Sequence, residues 1–276
     1  MYAEPYFQPI APPSYPVLRS ALPEGEMRAG PYVLRFARTL ADLHAVQRLR
    51  FEVFNVELAE GLESAYLTGR DEDEVDAACH HLMVEHRASG RVIGTYRLML
   101  RPMADARGGF YSESEYDLRT LPDEVVEQGV ELGRACVHAD HRNGRVIHLL
   151  WRGLGRYVAW NHKRYLFGCC SLPTLDESAA VRVLDELEAA GQVHPRWHVD
   201  ALRGLRVAKG TVASPTPSEL PPLLQSYLAL GAKVCGAPAV DRAFKVIDLF
   251  VVLDVEAMPP RVRESLTCER KWTPSC

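Results

Sequence analysis

Two charged residues three apart interrupt an apolar stretch, Glu131 and Arg134 in Glu131-Leu132-Gly133-Arg134-Ala135-Cys136-Val137-His138. The stretch reads as a buried strand. A carboxylate held there has its pKa lifted towards the range useful for proton transfer, which makes Glu131 the candidate general base. The structural alternative is an ion-pair network joining Glu131 and Arg134 to Arg97 and Asp76. Just downstream, Arg142-Asn143-Gly144-Arg145 opens a helix. Unpaired N–H groups and the helix dipole favour an anion there, so Arg142, Gly144 and Arg145 are candidate phosphate contacts.

Other side chains offer further chemistry. The acidic segment from Glu57 to Asp76 could attract a cationic substrate through Asp73 and Asp76, or simply be a solvated loop. Arg50 and Arg97 could clamp a carboxylate bidentately or tie that loop down; residue types alone do not separate the two. Cys136 reads as a small buried residue in preference to a nucleophile. The pairs His80-His81 and His138/His141 have no partner at ligand spacing, so no metal site is expected.

The elements that must position these residues follow from periodicity. Residues 1–30 are rich in proline and predict a flexible arm. A strand from Tyr32 and a helix capped by Thr39 come next, with Leu40, Leu43, Val46, Leu49 and Val53 on one face. The runs 81–86 and 92–100 read as a hairpin turned at Ser89-Gly90. A short helix is expected from Phe110, ending near Asp117-Leu118. A helix over 144–163, a strand over 165–172 and a helix ending at Gly191 follow the central strand. Residues 192–222 predict a long excursion, 223–230 a short helix, 246–253 a last strand, and 259–276 a flexible tail. Strand, helix, strand in this order implies a parallel or mixed sheet, within one domain expected over 31–258.

Composition excludes several classes. Net charge is −4, with 32 basic against 36 acidic residues, so no basic field invites nucleic acid, and any membrane contact must be local. The seven cysteines are scattered and show no CxxC spacing, which argues against a disulfide framework or structural zinc. No apolar run approaches the roughly 18–20 residues that span a bilayer, and no signal peptide is evident, so a cytoplasmic location is expected.

Arg50-x-x-x-Phe54, Asp73-x-x-Asp76, Arg97 and Glu131-x-x-Arg134, in this order, resemble the residue set of acyl-carrier-protein-dependent N-acyltransferases. Two groups share it, the ornithine-lipid N-acyltransferases (also called hemolysin-like) and the acyl-homoserine-lactone synthases. The strings Gly94-Thr95-Tyr96-Arg97-Leu98, Gly109-Phe110-Tyr111-Ser112-Glu113 and Leu230-Gly231-Ala232-Lys233-Val234-Cys235-Gly236 are similar to the first group, and the resemblance covers residues 31–255. No tryptophan stands in Val56 to Leu62, unlike most acyl-homoserine-lactone synthases. The bulky Arg145 in a loop with one glycine suits a single pantetheine phosphate better than the diphosphate of acetyl-CoA.

This resemblance implies a GNAT-type α/β fold, with a mixed, mostly antiparallel central sheet flanked by helices. It implies transfer of a long, 3-hydroxylated fatty acyl group to the α-amine of an amino acid, ornithine first. The donor would be the acyl-phosphopantetheine of acyl carrier protein, with no tightly bound cofactor. Glu131 and Arg134 would be catalytic; Arg50, Phe54, Asp73, Asp76 and Arg97 would bind substrate. The backbone of Cys136, Val137 and His138 would carry the pantetheine towards Arg142, Gly144 and Arg145. The acidic carrier would dock on Arg142, Arg145, Arg152, Arg156, Lys163 and Arg164. The segment 192–222 is a candidate for lining the acyl tunnel or touching the inner membrane peripherally. Alternatives are a synthase of the homoserine-lactone type, another acceptor amino acid, a non-catalytic GNAT-like module, or a membrane-active hemolysin. The last is disfavoured because no long amphipathic segment is present.

Overall fold

Short β-branched and aromatic runs pair into one ten-stranded sheet in the computed structural model, which describes residues 15–208, 211–214, 219–267 and 272–273. In chain order come β1 (Glu26–Ala29), β2 (Tyr32–Phe36), α1 (Leu40–Arg50), α2 (Ala65–Thr68), β3 (His80–His86) and β4 (Arg91–Leu100). Next are α3 (Arg101–Arg107), β5 (Tyr116–Asp117), α4 (Asp123–Glu127), β6 (Gly129–Val137), α5 (Arg145–Trp160), β7 (Tyr165–Leu172) and α6 (Glu177–Ala189). The last third holds β8 (Asp200–Ala201), α7 (Pro222–Ala229), β9 (Lys233–Val234), β10 (Ala239–Asp241), β11 (Val246–Asp254), α8 (Pro260–Thr267) and β12 (Trp272–Thr273). The sheet runs β10-β11-β7-β6-β4-β3-β2-β1-β12, with β9 also on β11, while β5 and β8 pair apart. Among the described residues, every pairing of its strands is antiparallel except β6 with β7. This is the mixed, mostly antiparallel sheet that the family resemblance implies.

The two faces of the sheet carry different helices. On one, α5 packs on β2, β3 and β4 and against α8. On the other, α1 covers β4 and β3 through Leu43, Val46, Leu49 and Val53, which close a second core with Met83 and Cys136. Thr39 starts α1 with a capping box: its Oγ1 accepts from Asp42 N, and Asp42 Oδ2 accepts from Thr39 N. Leu40, expected on the apolar face, is 56% exposed because it occupies the first turn, outside the packed stripe.

Three local irregularities position the site. First, α1 runs on into a π-helix over Phe51–Glu57, whose wider turn carries Phe54 and Asn55. Second, β6 pairs with β7 only from Gly129↔Tyr165 to Glu131↔Phe167. Gly168 marks the point of parting: a Cβ there would lie 2.3 Å from Leu132 O, so only glycine lets the strands approach so closely. Third, β6 carries a bulge against β4, since Gly133 pairs with Arg97 and Cys136 with Thr95, leaving Arg134 and Ala135 opposite Tyr96. Arg134 takes φ +48°, a left-handed conformation that costs a non-glycine residue about 1–2 kcal/mol.

The ends of the chain depart from expectation. Residues 15–30 of the expected arm are part of the fold: β1 joins the sheet, Tyr15 OH bonds His81 Nδ1 at 3.1 Å, and His80 Nε2 bonds Val17 O at 2.7 Å. The expected tail contributes α8 and β12, the latter pairing with β1. A partner strand distant in sequence supplies the order that local composition lacks. Residues 1–14 of the arm, and 268–271 and 274–276 of the tail, lie outside the described residues. The described part of the 192–222 excursion is pinned along the sheet by bridges at Val193, Val199 and Arg206. Among the described residues, no helix is long and apolar enough to cross a membrane.

Candidate active site

Where β6 and β7 part, a cavity of about 420 Å³ opens. One wall is apolar, with Phe54, Met99, Leu132, Leu166, Phe167 and Leu253. The other bears charge: Arg97, Glu131 and Arg134, then Glu115, Asp241 and Asp248. Such a pocket, greasy with a few converging polar groups, is the usual form of a small-molecule site.

Glu131 ends the part of β6 that pairs with β7 and is buried. Its Oε2 accepts from Tyr111 N at 2.9 Å and its Oε1 from Ser112 N at 2.7 Å. Burial raises its pKa, opposed in part by those two amides and by Arg97. Each carboxylate oxygen keeps a further lone pair, so Glu131 can still take a proton. Both donors belong to the 3₁₀ turn Tyr111–Ser114, the short helix expected from Phe110. Of the ion-pair network read from sequence, Glu131 is not a direct member.

That network lies beside it. Arg50, fully buried at the end of α1, bonds Asp71 through Nε (2.7 Å) and Nη2, and Asp76 through Nη1 (2.8 Å) and Nη2 (3.0 Å). Arg97 Nη1 donates to Asp73 at 2.7 Å and to Asp76 at 3.0 Å. Arg134 Nη2 reaches Asp73 at 3.2 Å, and its guanidinium lies 4.1 Å from the Phe244 ring centre. Three guanidinium groups thus meet three carboxylates. Burial opposes the charge on Asp76, yet Arg50, His81 and Arg97 hold its carboxyl well below the usual range. Asp73 is likewise lowered, burial being outweighed by Arg97 and Arg134. The acidic segment is therefore tied down, and Asp73 and Asp76 are not the free carboxylates expected for a cationic substrate. Arg97 Nη2, by contrast, is buried without a hydrogen-bond partner.

A second acidic group lies in the same cavity wall. Oxygens of Glu115, Asp241 and Asp248 all fall within 4.8 Å of one another. Ser171 Oγ donates to Asp248 Oδ1 at 2.7 Å. Burial, then the neighbouring carboxylates Asp248 and Asp241, push Glu115 up to about 9; burial, helped by Asp241, pushes Asp248 up to about 6.

An acetyltransferase (GNAT) domain model matches residues 49–152, from the end of α1 to the first half of α5. The L-ornithine N(alpha)-acyltransferase of Rhizobium meliloti (strain 1021) is 34% identical over 80% of this chain and 79% of its own length. The chain belongs to the L-ornithine N(alpha)-acyltransferase family. That of Brucella abortus (strain 2308) is 32% identical over 85% of this chain and 88% of its own. Among solved structures, the AHL synthase LasI is 11% identical, covering 89% of this chain and 98% of that one, with a TM-score of 0.45.

Within this family frame, the cavity brings Phe54, Arg97, Glu131 and Arg134 together, with Arg50, Asp73 and Asp76 behind them. Cys136 turns away into the α1 core, and His138 N donates to Ile93 O at 2.9 Å. Val137 pairs with Gly94 on β4, beyond the last β6–β7 pair. Arg142, Gly144 and Arg145 lie outside the cavity lining. Arg142 is held by Glu57 (2.5 and 2.8 Å) and by Val137 O (2.9 Å). Most of the expected carrier-docking residues are engaged as well: Arg152 is buried, Arg156 lies over Trp160, Lys163 donates to Glu127 O and Arg164 bonds Asp254. Sequence reasoning missed Asp71, the Tyr111 and Ser112 amides, and the Glu115, Asp241, Asp248 group. Asp248 did carry a signal, since it is a lone charge inside the apolar run Val246-Ile247-Asp248-Leu249-Phe250.

Proposed function

We propose that this chain transfers a fatty acyl group, long and 3-hydroxylated, from the phosphopantetheine thiol of acyl carrier protein to the α-amine of L-ornithine, giving a lyso-ornithine lipid. The observation that carries the reading is a buried carboxylate, Glu131, in a largely apolar cavity, in a chain whose relatives carry that name.

The chemistry follows from the positions. The acyl thioester enters where β6 and β7 diverge, its apolar chain along Phe167, Leu166 and Leu253. Glu131, whose pKa burial raises, takes a proton from the ammonium of the acceptor and leaves a neutral amine. The amine nitrogen attacks the thioester carbonyl, the C–N bond forms and the C–S bond breaks. The second amine proton leaves with the thiol, so charge is balanced. Arg97, which lines the cavity and whose Nη2 has no hydrogen-bond partner, receives the carboxylate of the acceptor, and Arg134 completes that side. Arg50, Asp71, Asp73 and Asp76 hold both arginines in place.

Incubating the purified full chain with acyl-loaded carrier protein and L-ornithine, and reading products by mass spectrometry, tests this. An N-acyl ornithine is expected from the wild type. No acylated product with any supplied amino acid would overturn the reading.

A further inference from the structure

The ion-pair network is charge-balanced; the Glu115, Asp241, Asp248 group is not. Its three carboxylates converge within 4.8 Å on the cavity that also holds Glu131 and Arg97. Arg134, a cation that acts on Asp248, is already engaged by Asp71 and Asp73. Glu115 is 5% exposed, and its Oε2 has no hydrogen-bond partner. Hydrogen bonds of the Glu115 carboxyl with the Cys169 thiol and with Asp248 leave that oxygen without a partner. A buried carboxylate oxygen without a hydrogen-bond partner, on a side chain that lines an open cavity, is costly unless something arrives to satisfy it.

We propose that Glu115, Asp241 and Asp248 form the subsite that receives the side-chain ammonium of the acceptor, and so select a diamino acid. This inference rests on the acyltransferase reading above. A primary ammonium carries three N–H donors and no acceptor, which matches three converging carboxylates. Its alkyl stem suits the flanking Phe244 and Val246. Reach agrees as well: Ser112, which donates to Glu131, and Glu115 are separated by one 3₁₀ turn, a rise of about 6 Å. The three methylenes between the α-carbon and the side-chain nitrogen of ornithine span roughly 5 Å when extended. Without the ammonium, mutual repulsion keeps a proton on the group, in keeping with the raised values of Glu115 and Asp248.

Calorimetric titration of the full chain, free of acyl donor, with L-ornithine and with L-norvaline (the same skeleton without the side-chain amine) tests the subsite. The wild type should favour ornithine by about 30-fold or more, as expected for a desolvated charge contact. Glu115→Gln and Asp248→Asn should each cut that preference at least several-fold. If burial prevents either from folding, by circular dichroism, the half-buried Asp241→Asn provides the same readout. An undiminished preference in folded variants overturns the proposal. So does saturable Mg²⁺ or Ca²⁺ binding that Glu115→Gln abolishes while ornithine binding persists. If the wild type acylates ornithine and norvaline equally well, the subsite is wrong and the acyltransferase reading stands. If it binds and acylates no amino acid, both fail.

Discussion

Two acidic clusters, one lining the cavity and one behind it, behave in opposite ways. Asp73 and Asp76, with Asp71, face three arginines, and the carboxyls of Asp73 and Asp76 are driven below their ordinary range. Glu115 and Asp248, with Asp241, face each other and a serine hydroxyl, and are driven up to about 9 and about 6. Burial opposes the charged form in both places. What differs is the partner: a guanidinium within hydrogen-bonding distance outweighs desolvation, whereas a second carboxylate adds to it. The first cluster is thus built as scaffold and the second is left open for a cation.

The comparison can be broken most forcefully at Arg50. Its replacement by Ala strands Asp71 and Asp76 in the core and should cost about 3–5 kcal/mol, read as a lower urea midpoint. A change below about 1 kcal/mol would show that the network is not the closed scaffold described. Glu131 belongs to neither cluster and is buried but satisfied by two amides. Glu131→Gln should lower kcat about 10²–10⁴-fold with the fold retained by circular dichroism, because an amide cannot accept the proton. An unaltered kcat would remove Glu131 as base.

The open cluster is sharpened by pH. Glu115 and Asp248 have folded values above their unfolded ones, so the native state binds more protons than the unfolded chain. Stability should therefore fall as pH rises from the ordinary carboxylate range through about 6 and towards about 9. Asp73 and Asp76 have the opposite sign: their contribution is present above the ordinary carboxylate value and lost as pH falls below it. In ligand-free protein, Glu115→Gln should reduce the loss of Tm between pH 6 and pH 9 by a few degrees, on the order of 1 kcal/mol. An identical loss in the variant would contradict the assignment. The smallest effect is expected at the surface. Arg142 pairs with Glu57 in solvent, both partly exposed, so Arg142→Ala should shift stability by about 0–1 kcal/mol in a denaturant titration. A larger loss would mean that this pair also supports the fold.

Periodicity and composition alone determined the hairpin of β3 and β4, the central β6, helices α1 and α5, and β7 and β11, since each buries a face large enough to impose its period on the residues. Glu131 and Arg134 were legible for a related reason: charges inside an apolar run must be explained. The order of both chain ends was not legible, because β1 and β12 pair with each other across almost the whole sequence. Nor could residue types decide what Arg50 and Arg97 bind. Asp71, Asp73 and Asp76 lie close together in the sequence and so do Asp241 and Asp248, yet only the fold brings three arginines to the first group and Glu115 to the second. The sign of a buried carboxylate's pKa shift depends on which charge lies a few ångströms away, and that is a property of the tertiary structure.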